Sequence, residues 1–331
     1  MRIAIDAMGG DNAPRIVIDG AVDAARDNSF EIVLVGDKDA IEKELARHRP
    51  YPANIKVHHA RETIEMHEPP AISIRKKKDS SINVMVNLAK ENQVDAIVSA
   101  GNTGAVVCAA TLGMRTIEGV ERPGIAVVIP TLKGATLLID VGANIDAKPK
   151  HLLQYGIMGH VYSKYILGKK NPRIGLLNIG EEESKGTEFL KEAYKLLEQS
   201  NLNFIGNSEG RDIFTGKCDV TVCDGFIGNV VLKVSESLTE TIGELLRREL
   251  NKGFLTRVGA LLSKPAFRSL KKEIDYSEYG GAPLLGIDGI CIIAHGGSTP
   301  KAIKNAIRVA GQYVVHHVNK HIMDAINEGK V

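Results

Sequence analysis

Short apolar runs recur along the chain, and each run ends where glycine and small polar residues begin. Five of these runs occupy positions 96–98, 137–139, 174–177, 220–222 and 290–293. Uninterrupted apolar runs of this length are typical of strands that are buried on both faces of a parallel sheet. Because the runs alternate with helix-like segments from the first residues onward, the pattern predicts an α/β fold.

Two neighbouring runs depart from this alternation. Positions 125–129 and 135–139 are separated by the short loop 130–134, which suits an antiparallel hairpin. The expected architecture is therefore a large doubly wound sheet that is mixed but mostly parallel. A length of 331 residues is enough for two domains of about 150 residues each, but no linker-like tract divides the chain. We expect one α/β catalytic unit over 1–331, with a basic amphipathic helical excursion at 245–272.

The loops that follow the strands are the best candidates for a binding site. Ligands of open α/β sheets bind at the carboxyl ends of strands, where glycine allows close backbone approach and helix N-termini favour anions. We expect the five loops to converge at one sheet edge as a polar crevice that binds phosphate. Its candidate binding residues are Gly9, Gly10, Asn102, Thr103, Gly104 and Asn144.

Two of these loops also allow other interpretations. The turn 101–104 is either an anion cradle or a tight strand–helix connection that Thr103 caps. Asp6 and Asp11 form a carboxylate pair suited to Mg²⁺, but loop organisation by Asp6 and helix capping by Asp11 are the favoured roles. No G-x-G-x-x-G fingerprint follows any strand. The segment 180–187 only partly resembles a P-loop, because its lysine precedes the glycine.

Three residues are candidates for direct participation in chemistry: Lys185, His295 and Asn229. His295 directly follows a buried run and precedes two glycines, a position from which a histidine can act at a strand end. His317 and His321 have i, i+4 spacing but lack the H-E-x-x-H pattern, so we expect a surface or core pair and no metal site. The four cysteines lie among apolar residues, which is typical of free thiols in a reducing compartment.

The overall charge does not favour a nucleic-acid partner. A formal net charge of +2 is too small to indicate one. The chain enters a strand-like run at Ile3 without the features of a signal peptide, so we expect a cytoplasmic protein. The uncharged stretch 96–114 is long enough to span a bilayer, yet its internal polar turn favours a strand, a turn and a helix.

The segment 245–272 is strongly basic, with eight basic residues and one acidic residue, Glu249. It also contains an apolar stripe at helical spacing, formed by Phe254, Leu255, Val258, Leu261 and Leu262. A basic amphipathic helix is typical of contact with a membrane surface. Burial in the core or in a dimer interface is the alternative, and the sequence does not choose between them.

The loop sequences, taken together, resemble the PlsX-type phosphate acyltransferases. The matching motifs are IAIDAMGGDNAP at 3–14, SAGNTGA at 99–105, DVGAN at 140–144, LNIGEE at 177–182, EGRD at 209–212, DGF at 224–226, GNV at 228–230 and YGGAPLLG at 279–286. The resemblance covers nearly the whole chain and depends on several separate loops.

The resemblance implies a bacterial acyltransferase of phospholipid synthesis that uses no cofactor. Such an enzyme forms acyl phosphate from inorganic phosphate and a long-chain acyl-carrier protein, and its product supplies glycerol-3-phosphate acylation by a membrane enzyme. The resemblance also implies a homodimer and a fold similar to that of isocitrate and isopropylmalate dehydrogenases and phosphate acetyltransferases. An acidic carrier protein needs a basic docking face, for which the candidates are Arg75, Lys76, Lys77, Lys78, Arg247 and Arg248.

The residue types suit this reaction. The phosphate dianion is already present at neutral pH because the second pKa of phosphate is about 6 to 7, and positioning plus oxyanion stabilisation can then carry the catalysis. In this scheme the 102–104 turn holds phosphate, and Lys185 or His295 stabilises charge. One alternative is a nicotinamide-dependent dehydrogenase, for which the cofactor loop and acidic metal cluster are missing. The other is a membrane-surface scaffold, which leaves the five polar strand ends unexplained.

Overall fold

Strands and helices alternate along the described chain. The computed structural model describes the backbone of residues 1–274 and 279–328, and the side chains of these residues except 271–274. The strands are β1 (Arg2–Asp6), β2 (Glu31–Gly36), β3 (Ile55–His59), β4 (Ala96–Ser99), β5 (Gly124–Thr131), β6 (Gly134–Ile139), β7 (Ile174–Leu177), β8 (Phe204–Ser208), β9 (Val220–Val222), β10 (Ala282–Leu285) and β11 (Cys291–Ile293). The helices are α1 (Arg15–Asp27), α2 (Lys38–Leu45), α3 (Pro70–Lys76), α4 (Ser81–Lys90), α5 (Thr103–Met114), α6 (Pro149–Tyr165), α7 (Glu188–Glu198), α8 (Asp212–Thr215), α9 (Gly225–Leu250), α10 (Phe254–Leu262), α11 (Lys264–Ile274), α12 (Pro300–Val315) and α13 (Val318–Glu328).

These strands form one sheet in the order β3-β2-β1-β4-β11-β10-β5-β6-β9-β7-β8. The first five strands of this order are parallel to one another, and so are the last four. Between these halves, β10 is antiparallel to both β11 and β5, and β5 is antiparallel to β6. The prediction of a mixed, mostly parallel, doubly wound sheet is therefore confirmed.

The predicted hairpin forms with longer strands and a shorter loop than the sequence suggested. Pairing of β5 with β6 extends to Thr131 opposite Gly134, so only Leu132 and Lys133 lie in the turn. Gly134 has a φ of +116°, a conformation that glycine adopts without a steric penalty. Together with β10, this hairpin reverses the strand direction between the two halves of the sheet.

The two faces of the sheet pack differently. Successive side chains of a strand point to opposite faces, and on one face Leu138, Leu284 and Cys291 belong to a single continuous hydrophobic cluster with residues of α4 and α5. The other face carries two clusters. One packs the first half of the sheet against α1 and α12, and the other packs the second half against α6 and α13. The continuous cluster therefore joins the two halves.

The apolar stretch 96–114 forms β4, a turn and α5, as the sequence predicted. None of the helices in the described part of the chain is long and apolar enough to cross a membrane.

The excursion at 245–272 consists of the end of α9, then α10, then most of α11. The side chains of its last two residues, 271 and 272, lie outside the described residues. The prediction of one catalytic unit over 1–331 stays a prediction.

Replacing Leu138 with alanine tests the continuous cluster. Leu138 is fully buried in β6, so Leu138→Ala should lower the free energy of unfolding by about 2 to 5 kcal/mol through lost burial and a residual cavity. Leu132→Ala is the matched control, because Leu132 lies in the turn of the same hairpin and is 88% exposed. Urea unfolding followed by circular dichroism measures both variants, and equal midpoints would contradict the assigned packing.

Candidate active site

A buried carboxylate connects the loops after β1 and β4, and a backbone hydrogen bond joins the loop after β11 to them. We call these loops together the first loop group, which comprises residues 6–13, 99–104 and 294–298. Asp6 accepts hydrogen bonds from Ser99 Oγ (2.7 Å) and from the backbone N–H of Met8 (3.2 Å). Burial raises the pKa of Asp6, while its hydrogen bonds act in the opposite direction. Asp6 therefore organises the β1–α1 turn, which is the role favoured from the sequence.

Gly9 lets the loops after β1 and β4 approach closely, because a Cβ atom there would lie 2.5 Å from Asp6 Oδ2 and 2.6 Å from the nitrogen of Gly101. The backbone N–H of Asp11 donates to the carbonyl of Gly296 (2.9 Å), which ties in the loop after β11. The predicted cap of α1 by Asp11 is wrong. A capping side chain comes from the N-cap position, and Pro14 occupies it.

Asn102 holds backbone groups and leaves no amide hydrogen for a ligand. Its Oδ1 caps α5 by accepting from the N–H of Ala105 (3.0 Å), the role that the sequence gave to Thr103. Its Nδ2 donates at 3.0 to 3.3 Å to three carbonyl oxygens, those of Glu65, Met66 and Glu68. Because both amide hydrogens already have partners, the structure argues against the predicted contact of Asn102 with phosphate.

Thr103 and Gly104 form the exposed first turn of α5. N–H groups at the first positions of a helix have no partner within it, so these two are available to an anion at the positive end of the helix dipole. Gly10 lies in the same loop group with a φ of +110°. His295 is also exposed, and its Nδ1 accepts from the N–H of Gly297 (3.1 Å). The Nε2 atom of His295 is thus the ring nitrogen left for a ligand.

The loops after β6, β7 and β9 form a second loop group, which comprises residues 140–147, 178–186 and 223–229. Its centre is the fully buried Asp140. This carboxylate accepts from four backbone N–H groups, those of Ile125, Gly142, Ala143 and Asn144. Burial raises the pKa of Asp140, and the N–H donors oppose the rise. The N–H of Gly225 donates to the carbonyl of Asn144 (2.9 Å), so the loops after β6 and β9 are joined.

Asn144 is engaged in the same way as Asn102. Its Nδ2 donates to the carbonyl of Pro123 (2.5 Å) and to Tyr155 Oη (2.8 Å). With both amide hydrogens engaged, the structure argues against the predicted contact of Asn144 with phosphate as well. Asp224 caps α9, because its Oδ1 accepts from the first two N–H groups that follow Gly225, at 3.0 and 2.9 Å.

Among the described side chains of the second loop group that carry N–H donors, those of Lys185 and Asn229 form no hydrogen bond or ion pair. Lys185 is exposed in the loop between β7 and α7, and it forms no ion pair with any residue whose side chain is described. Asn229 is exposed near the start of α9, and its side chain lies over Gly142. A free ammonium and a free amide are donors that an anion or a developing oxyanion requires.

Sequence reasoning gave no role to Ser99, Asn178 and Asn207, which also help to build the candidate site. All three are buried. Ser99 binds Asp6, while the two asparagines hold the loop that carries Lys185. Their position near or directly after a strand end was the available signal in the sequence. That position does not predict how deeply each side chain is buried or which group it binds.

Both loop groups follow the carboxyl ends of their strands, but the strands of the two halves run in opposite directions. Three antiparallel pairings separate β11 from β6, so the carboxyl ends of β6, β9 and β7 point opposite to those of β1, β4 and β11. The prediction that all five loops converge at one sheet edge is therefore wrong. Sheets twist by about 20–25° per strand, and the four steps from β4 to β6 amount to a turn of about 90°.

Both loop groups border the continuous hydrophobic cluster. Next to the first group the cluster takes in Ile293 and the start of α5, at Ala105 and Val106. At the second group it takes in Val141 and Cys223, and next to it Leu177, the last residue of β7. Because these residues pack in one cluster on one face of the sheet, the surface between the two groups is the candidate active site.

The predicted docking residues are not equivalent. Arg75, Lys76 and Lys78 are exposed at the end of α3. Lys77 instead donates to the carboxylate of Glu68 and to the carbonyl of Thr63 (2.7 Å). Its charge is therefore already paired. Arg247 and Arg248 are exposed at the far end of α9.

The apolar stripe of α10 is exposed. Its members Phe254, Leu255, Leu261 and Leu262 are 68 to 84% exposed, and Val258 is 39% exposed. Every residue from 237 to 249 of α9 is exposed as well. Burial of the stripe in the core of this chain is therefore excluded, while contact with a membrane and contact with a second subunit both stay open.

Comparison with known proteins identifies the family of this chain. A family model described as "Fatty acid synthesis protein" matches residues 1–321. The phosphate acyltransferase of Geotalea uraniireducens (strain Rf4) is 51% identical over 328 residues, which cover 99% of this chain and 95% of that protein. The chain belongs to the PlsX-type phosphate acyltransferase family. The phosphate acyltransferase of Geobacter sulfurreducens is similar to it too, with 50% identity over 324 residues, 98% of this chain and 94% of that protein.

Solved structures show how this acyltransferase family relates to others by fold. A phosphotransacetylase from Streptococcus pyogenes has a TM-score of 0.64 at 15% identity, over 95% of this chain and 94% of its own. A branched-chain phosphotransacylase from Enterococcus faecalis V583 has a TM-score of 0.56 at 13% identity, over 95% of this chain and 99% of its own. A 4-hydroxythreonine-4-phosphate dehydrogenase from Klebsiella pneumoniae has a TM-score of 0.53 at 15% identity, over 96% and 99%. The expected fold similarity to phosphate acetyltransferases is confirmed.

The ion pair of Glu68 with Lys77 predicts a pH dependence of stability in this acyltransferase. Lys77 is the main cause that lowers the pKa of Glu68 to about 2. A carboxylate with a lowered folded-state pKa stabilises the protein above its unfolded pKa of about 4.3, and this contribution is lost as the pH falls further. Glu68→Gln should therefore lower the thermal midpoint above about pH 5, and the difference should vanish towards pH 2. Calorimetry across this range measures it, and a pH-independent difference would contradict the pairing.

Proposed function

We propose that this chain transfers the acyl group of a long-chain acyl-carrier protein to inorganic phosphate and forms acyl phosphate. The supporting observation is the set of free donors on both sides of the candidate site. The first loop group offers the backbone N–H groups of Thr103 and Gly104, and the second offers Lys185 and Asn229. The phosphate acyltransferases to which the chain is similar agree with this reaction.

The proposed reaction needs positioning more than proton transfer. An oxygen of the phosphate dianion attacks the thioester carbonyl carbon, and the C–S bond breaks. The carrier thiolate leaves and receives, through solvent, the proton that the phosphate group gives up. Thr103 and Gly104 hold the phosphate through their N–H groups, and Lys185 neutralises its charge. Asn229 or His295 donates a hydrogen bond to the oxyanion of the tetrahedral intermediate. Fixed donors of this kind stabilise charge as it develops.

Acyl phosphate formation tests the proposed function directly. Purified protein is incubated with palmitoyl-acyl-carrier protein, with and without phosphate, and hydroxylamine traps the product as a hydroxamate. We expect hydroxamate that depends on phosphate. A folded protein with a competent donor that gives no product would overturn the proposal.

Substitution of Lys185 tests its role in this reaction. Lys185→Gln should raise the KM for phosphate about 10- to 100-fold, the range expected for a lost hydrogen bond between charged groups. Lys43→Gln is the matched control, since Lys43 is exposed on α2, outside both loop groups. Thr103→Val measured in the same assay tests the first loop group. A Lys185→Gln enzyme with an unchanged KM would remove Lys185 from the phosphate site.

The carrier protein is proposed to dock on the basic end of α3. This helix begins beside the phosphate turn, because a Cβ atom at Gly104 would lie 2.7 Å from Pro70 Cγ. Arg75 and Lys76 are exposed on it and Lys78 just after it, and they offer charge complementary to an acidic partner. Arg247 is 18 residues beyond Asn229 on α9, about 27 Å at 1.5 Å per residue, which makes it the less favourable candidate.

The exposed half of α9 is proposed as the interface of a homodimer. Val234, Leu238, Ile242 and Leu245 are exposed on it at spacings of three and four residues, the pattern of a helix that pairs with another helix. A helix without tertiary contacts is only marginally stable in water. A second copy of the chain, offering the same stripe, supplies the missing contact.

The stripe of α10 is proposed to contact the inner face of the cell membrane. Exposed basic residues flank it, among them Lys252, Arg257 and Lys264, and they favour an anionic lipid surface. A cytoplasmic enzyme with this contact would deliver acyl phosphate to a membrane glycerol-3-phosphate acyltransferase.

Two glutamate substitutions separate the proposed dimer and membrane contacts. Leu238→Glu should convert the dimer into a monomer, because charges would meet across the α9 interface. Leu261→Glu should keep the dimer and abolish cosedimentation with vesicles that contain anionic lipid. Light scattering and vesicle sedimentation measure the two effects. Dissociation of the dimer by Leu261→Glu would instead assign α10 to the subunit interface.

A further inference from the structure

We infer that Asn178 and Asn207 are positioning residues that fix the loop carrying Lys185, an inference that rests on the proposed role of Lys185. The loop leaves β7 at Asn178 and ends at α7. Asn178 Nδ2 donates to the carbonyl of Lys185 (3.1 Å), and Asn207 Nδ2 donates to the carbonyl of Glu182 (2.9 Å). Both asparagines are buried, 8% and 3% exposed. Two buried amides therefore hold the backbone of an exposed loop.

Asn178 contacts both ends of this loop. Its Oδ1 accepts from the N–H of Ile179 (2.8 Å), while its Nδ2 reaches Lys185. Gly186, with a φ of +88°, passes so close that a Cβ atom there would lie 2.7 Å from Asn178 Oδ1. The loop thus closes around one amide group, and its shape depends on that group.

None of the three acidic residues of the loop, Glu181, Glu182 and Glu183, forms an ion pair with Lys185. Glu181 pairs with Lys217 Nζ (2.8 Å), and Lys217 also pairs with Asp212 (3.3 Å). Lys185 itself has no ion pair among the residues with described side chains. Its backbone is therefore fixed while its ammonium stays available, which reduces the ordering cost when an anion binds.

Asn207 contributes mainly through its donor. Its Oδ1 is buried without a hydrogen-bond partner, an arrangement that costs free energy and does not add stability. The hydrogen bond from Nδ2 to the carbonyl of Glu182 is the contact that remains. Loss of this side chain should accordingly change the loop more than the stability of the fold.

A double-mutant cycle tests whether Asn207 acts through Lys185. Asn207→Ala should raise the KM for phosphate about five- to tenfold and leave kcat within about twofold, whereas in a Lys185→Gln background the same change should have less than about a twofold effect. Asn203→Ala is the matched control. Asn203 precedes the same strand, β8, and its Nδ2 also donates to a backbone carbonyl, that of Asn171 (3.2 Å). We expect this control to leave KM unchanged in both backgrounds.

The outcomes separate this inference from the proposed function. An equal rise of KM in both backgrounds, or none in either, would show that Asn207 does not act through Lys185, while phosphate-dependent product from the unmodified protein would still support the reaction. A normal KM in Lys185→Gln would overturn both the role of Lys185 and this inference. Thermal unfolding checks that each variant is folded, and Asn178→Ala repeats the cycle at the second amide if Asn207→Ala unfolds.

Discussion

The loops that follow the buried strands carry backbone N–H and carbonyl groups that water does not reach. These groups need hydrogen-bond partners from the protein itself, and this constraint shapes the whole candidate site. An unpaired buried N–H or carbonyl group costs as much as a lost hydrogen bond. The chain meets the requirement with side chains at the strand ends. Asp140 accepts four N–H groups in the second loop group, and Asn102 donates to three carbonyls in the first.

This use of polar side chains divides the strand-end residues into two kinds. Asn102 and Asn144 hold neighbouring backbone and have no amide hydrogen left. Lys185 and Asn229 are exposed, and the ammonium of the first and the amide of the second keep their N–H donors free. Binding a small anion requires free donors of this kind, and the engaged side chains hold the loops that carry them in place. The glycines serve both, because they let loops come close enough to share one carboxylate or one amide.

The reversal of strand direction in the middle of the sheet has an equally direct consequence. Because β10, β5 and β6 are paired antiparallel, the carboxyl ends of the strands point one way in the first half of the sheet and the opposite way in the second half. A single hydrophobic cluster still runs beneath both sets. The candidate site is therefore composite, and its proposed donors are a helix turn and a histidine from the first loop group and a lysine and an amide from the second.

The sequence by itself determined the strands, the alternation with helices, the hairpin and the family, because these depend on local periodicity and on motifs that are continuous in the chain. It did not determine which polar residue of a loop is free: Asn102 and Asn229 look alike in sequence, but only the first has three carbonyls within reach. Nor did it reveal the reversal that separates Lys185 from His295, since strand order is set by pairing between distant segments. Tertiary structure decided both, because a side chain's partners come from elements far away in the chain.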